Sequence, residues 1–157
     1  SVPASANPLK VLAERLVDRV PVVWGATGIG AVAAARWKTE LNENAKVPAF
    51  FSELPELDHN EVVGWSDGAG ERFHVVALRH EGEHPDVAPR FEPSLAIARD
   101  AGATVDEVWG RGRSGLSRFL SLVLLGDLTA TYLAIARGVD PTPIEAIARL
   151  KRATASA

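Results

Sequence analysis

Two short polar runs carry the side chains best suited to chemistry, Asn42-Glu43-Asn44 and Asp58-His59-Asn60-Glu61. Carboxylates, a histidine and carboxamides packed this closely are costly to bury unless they hydrogen-bond or react. A carboxylate held within reach of a carbon acid takes its proton. A histidine titrating near neutrality passes protons to and from oxygen. The same residues have a plainer use, with Glu43-Asn44 closing a helix and His59 lying in a solvated turn. The apolar run between them, with Pro48 and Pro55, is too short for another crossover helix with both its turns. Extended, it covers roughly 3.3 Å per residue, enough to carry His59 out of hydrogen-bond contact with its own Glu43.

The flanking sequence predicts the scaffold. Asn7-Pro8 starts a helix, with Leu9, Leu12, Leu16 and Val17 at helical spacing through Val20. Pro21-Val22-Val23-Trp24 reads as a buried strand ended by Gly25, and an Ala-rich helix follows over 29–41. Residues 72–78 (RFHVVAL) and 105–109 (VDEVW) are further strands. A charged loop from Arg79 opens into a helix ending near Ala101, with Gly102 as its stop. Ser114 caps a long apolar helix reaching Arg137, and an amphipathic helix spans 143–152. Strands alternating with helices imply an α/β fold, a three-layer αβα sandwich with a mostly parallel sheet. The long helix is apolar on nearly every face, so either the sheet plus the terminal helix or a subunit interface must cover it.

At 157 residues the chain is expected to form one domain, 1–157, with 46% hydrophobic and 24% charged residues. A formal charge of −3 and no basic run argue against a nucleic-acid surface. No apolar run reaches the roughly 20 residues of a membrane span, and the start is not a signal peptide, so a cytoplasmic protein is expected. There is no cysteine for disulfides or thiolate metal sites. There is no methionine either, even at position 1, which fits removal of one initiator Met as well as the downstream part of something longer.

Other motifs are weaker. Gly25 to Gly30 reads GxxGxG, one spacing away from the dinucleotide fingerprint. His80 and His84 flank Glu81 and Glu83, but Gly82 and Pro85 break any zinc-binding helix and leave a solvated loop. His74 is placed as a hydrogen-bonded sheet residue. Arg111 and Arg113 fit equally an anion at the next helix N-terminus or a solvated surface.

The stretch LNENAKVPAFFSELPELDHNEVVGW closely resembles the bifunctional phosphoglucose/phosphomannose isomerase family, a branch of the sugar-isomerase (SIS) superfamily. The C-terminal half of that family reads NENxKxPAF and then PELxHNExxGW, with the same interval between. The likeness continues through Val105–Gly110, LLGDLTATYLA and the tail from Gly138-Val139-Asp140-Pro141 to Leu150-Lys151. It implies Glu43 as the base that moves a proton between C1 and C2 of an open-chain sugar. It implies His59, lent by a dimer partner, and Lys151 as helpers in ring opening. The implied substrate is a phosphorylated hexose, turned over without metal or redox cofactor. The family's serine- and threonine-rich phosphate turns belong to an upstream SIS domain and have no counterpart in these residues. The resemblance therefore implies an upstream SIS partner and a homodimer, with a non-catalytic sugar-phosphate-binding or regulatory module as the rival reading.

Overall fold

The computed structural model describes residues 6–66 and 68–155. Asn7 caps α1 (Pro8–Leu16) by accepting from the Leu9 and Lys10 amides, and Pro8 fills the first turn, where no amide donor is needed. The helix stops short of the expected Val20. Asp18 takes φ +61°, which turns the chain so that Val20 already begins β1 (Val20–Ala26). Helix α2 (Ile29–Glu43) crosses back and β2 (Phe50–Leu54) follows. A 3-10 turn over Glu56–His59 and the single-turn α3 (Glu61–Gly64) lead on towards β3 (Phe73–His80). Then come α4 (Phe91–Asp100), β4 (Thr104–Gly110), α5 (Gly115–Ala136) and α6 (Glu145–Ala155).

The four strands form one parallel sheet in the order β2-β1-β3-β4. On one face α1, α2 and α5 pack Leu16, Trp37, Leu41, Leu122 and Leu133 against Val23, Val76 and Leu78. On the other, Leu57 and the α4 residues Phe91 and Leu95 cover Val22, Trp24, Val75 and Ala77. This is the expected three-layer sandwich. At the α2–α5 crossing the Trp37 indole donates to Leu122 O at 2.7 Å and lies against Gly126.

Strand β2 was not legible as a strand. It is an edge strand whose residues Phe50 and Phe51 are exposed, so neither alternation nor a buried run marks it. The Gly25–Gly30 turn has a packing use. A Cβ on Gly25 would sit 2.2 Å from Gly30 O, so the glycine lets α2 start against the end of β1. His80 lies inside β3 and is buried, contrary to the loop expected there, whereas His84 is exposed. His74 is a sheet residue as expected, its Nδ1 2.8 Å from Thr104 Oγ1.

Helix α5 has 22 residues and is long and apolar enough by length and composition to cross a membrane, which no run in the sequence was expected to be. Its inner side belongs to the core described above. Its outer side leaves Leu116, Leu120, Leu124 and Leu128 exposed, so of the two covers expected for it the terminal helix α6 is not the one. Helix α6 itself has no buried residue.

Candidate active site

Helix α2 ends in the first polar run because its last turn and the next residues are tied down individually. Asn42 Nδ2 donates to Val47 O at 2.8 Å, folding the chain back against the helix. Asn44 is the C-cap, and its side-chain amide donates to Glu40. Lys46 adopts φ +57°, the left-handed conformation that ends helices and that non-glycine residues rarely take. Its ammonium donates to Glu43 O at 2.6 Å, Pro141 O at 3.1 Å and Pro143 O at 2.6 Å. Arg137 donates to the carbonyls of Ala45 and Lys46 from the end of α5.

Within this fixed turn the Glu43 side chain is exposed, and its carboxylate has no hydrogen-bond or ion-pair partner among the described residues. It lines a groove of about 750 Å³ with Thr39, Asn42, Asp140, Ile144 and Ile147. One turn back, Glu40 is buried and paired with Arg36 at 2.7 Å. Burial pushes the Glu40 carboxyl above its ordinary range against the pull of Arg36, and the nearby charges of Asp127 and Glu43 add to the rise. The groove thus joins a free carboxylate to apolar walls supplied by the start of α6.

His59 lies elsewhere. It ends the 3-10 turn after β2, on the side where the parallel strands finish, whereas Glu43 ends the crossover helix on the side where they begin. The residues around His59 are anchored one by one. Ser94 donates to Asp58 at 2.7 Å and Arg90 lies 3.4 Å from the same carboxylate. Glu61 accepts from the indoles of Trp24 at 2.9 Å and Trp65 at 3.3 Å, and those two rings meet edge to face. Between these anchors the His59 ring is exposed and makes no hydrogen bond among the described residues.

Lys151 is exposed on α6, four residues beyond Ile147 and so on the same helical face. The structure thus brings Glu43 and the helix carrying Lys151 to one end of the molecule and sends His59 to the other. Arg111 and Arg113 are both exposed. Sequence reasoning named Glu61 only as part of its polar run and missed the supporting residues Lys46, Glu40 and Trp24. Lys46 stood in the quoted motif, but nothing in its residue type announces a left-handed backbone.

A parallel sheet between two helical layers is the architecture this chain shares with SIS-type phosphosugar isomerases. A crystal structure of a glucose-6-phosphate isomerase like protein from Thermus thermophilus matches with TM-score 0.76 and 25% identity, over 96% of this chain and 49% of that one. More narrowly, residues 5–153 match the family described as the bacterial phospho-glucose isomerase C-terminal SIS domain, and the chain belongs to that family. A bifunctional phosphoglucose/phosphomannose isomerase of Aquifex aeolicus is 39% identical over 90% of this chain. One from Caldicellulosiruptor bescii is 35% identical over 96% of it. The chain spans less than half the length of these relatives, 44% and 45%.

Proposed function

We propose that this chain is one SIS-type domain, the C-terminal half of an aldose–ketose isomerase that converts glucose 6-phosphate or mannose 6-phosphate to fructose 6-phosphate. After ring opening, Glu43 takes the C2 proton of the aldose, a cis-enediol forms, and the proton returns to C1. His59 of a neighbouring subunit and Lys151 exchange protons with the ring oxygens, so the working unit is a homodimer. The upstream half supplies the phosphate-binding turns, and the chain alone does not turn over. A phosphorylated-sugar substrate fits a cytoplasmic enzyme.

The observation that carries this reading is the Glu43 carboxylate, unpartnered among the described residues and facing a groove from a turn fixed on both sides. A general base of this kind contributes about 10²–10⁴-fold to rate. In the full-length protein Glu43→Gln is expected to remove that factor from isomerisation and from solvent-deuterium exchange at C2. Full turnover by the Gln variant would show that another group is the base.

A second reading is a non-catalytic sugar-phosphate-binding or regulatory module. It is favoured by the turn after β1, where Thr27 Oγ1 donates to Leu54 O at 2.8 Å and faces Glu53, a poor setting for a phosphate. Calorimetry with fructose 6-phosphate, beside an isomerase assay of the same full-length preparation, separates the two. Binding without turnover supports the module, and turnover excludes it.

A further inference from the structure

We infer that Lys46 is a positioning residue that staples the α6 arm to the Glu43 turn and so sets where Lys151 stands. The inference rests on the isomerase reading for its kinetic part and on geometry alone for the staple. An ammonium has three donors, and all three of Lys46 go to main-chain carbonyls: Glu43 O, Pro141 O and Pro143 O. It is therefore not available to bind a phosphate or to pair with the Glu43 carboxylate. Its φ of +57° turns the side chain back under the helix end, where those carbonyls converge.

The stapled segment is the leader of α6. Helix α6 has no buried residue of its own, so its direction depends on how that leader is held. The leader also carries Asp140 and Ile144, which wall the groove beside Glu43. Lys151 stands six residues into the helix from Glu145, about 9 Å along its axis. A small rotation at Pro143 therefore sweeps Lys151 through several ångströms while leaving the sandwich intact. Arg137 holds the other side of the loop through the carbonyls of Ala45 and Lys46, but it makes no bond to the 141–143 leader.

Three substitutions separate the contributions. Lys46→Met removes the ammonium. Lys46→Gly removes it too, yet suits the left-handed backbone and so preserves the turn. Lys46→Arg keeps the charge in a planar fork that cannot aim three donors at converging carbonyls. This chain has no cysteine, and once any cysteine of the upstream half is replaced by serine, nitroxide labels at Lys38→Cys and Ala153→Cys report the position of α6 in the full-length protein. The label distance distribution is expected to broaden at least twofold in the Met and Gly variants, and unchanged widths in both overturn the staple.

The kinetic arm is a cycle with Lys151→Met. Lys46→Met is expected to lower kcat at least tenfold with KM within threefold, and to add nothing in the Lys151→Met background. Losses that multiply show that Lys46 does not act through Lys151 and overturn the positioning role. If the full-length wild-type protein does not isomerise hexose phosphates, the isomerase reading fails, and the distance measurement alone decides the staple.

Discussion

Glu43 and His59 stand at opposite ends of the parallel strands, one closing α2 where the strands begin and the other following β2 where they end. The five residues of β2 alone separate those ends by about 16 Å. Across that separation the two side chains of one chain do not meet at one small ligand. Those of a two-fold dimer can, if the His59 turn of each subunit reaches the groove of the other.

Mixing full-length Glu43→Gln with His59→Ala tests that arrangement. After subunit exchange, half of the dimers are mixed and each has one intact site of two. Recovery of about a quarter of the wild-type rate is the expected result for random two-fold pairing. An assay that stays at the level of the separate variants rules out a shared site.

The outer side of α5 carries Leu116, Leu120, Leu124 and Leu128, exposed by 67, 54, 58 and 37%, at a spacing that aligns them along the helix. Relatives of more than twice this length suggest the occupant, namely the upstream half. Replacing Leu120 by Glu and Leu124 by Lys keeps a favourable helical pair while making the stripe polar. In the full-length protein this change is expected to lower the urea midpoint. An unaltered full-length midpoint would leave the stripe without that role.

His80 is buried, with neither ring nitrogen hydrogen-bonded among the described residues. Burial pushes its pKa below the ordinary value of 6.5; Glu83 and the Glu81 backbone oppose this, and Arg118 and Arg79 reinforce it. The unfolded chain therefore binds the proton first, so stability present above pH 6.5 is lost as pH falls through that value towards the folded pKa. His80→Leu lacks this loss. Its urea stability relative to wild type is expected to improve between about pH 8 and about pH 5.5, a window that brackets the ordinary histidine range, and a constant difference across it would contradict the assignment.

Gly126 faces the Trp37 ring so closely that an added Cβ would lie 2.5 Å from Cδ1 and Nε1. The indole cannot simply swing away, because it is buried and donates to Leu122 O. Gly126→Ala gains helix propensity yet overpacks the crossing, which typically costs about 1–3 kcal/mol. Denaturant unfolding is expected to show net destabilisation; a more stable Ala variant would mean that α2 and α5 separate freely.

Much of this architecture was legible in the sequence because its signals are local. Asn7-Pro8, Gly102 and the Ser114 cap each act within a few residues of themselves. The buried strands β1 and β3 announced themselves as apolar runs. Strand β2 did not, since an edge strand with outward phenylalanines lacks the pattern of burial. The site residues were legible only through a motif. Glu43 and His59 are ordinary polar residues until their neighbours are seen to be tied down. Those ties, such as Trp24 to Glu61 and Lys46 to Pro143, join parts of the chain far apart in sequence.

The bond from Lys46 to Pro143 O spans 97 residues. During synthesis at roughly 5–20 residues per second, the Glu43 turn leaves the ribosome about 5–20 s before the segment that closes it. Strands β2, β3 and β4, with α4 and α5, must all be made in that interval. The groove is therefore among the last features of this domain to take shape on a nascent chain.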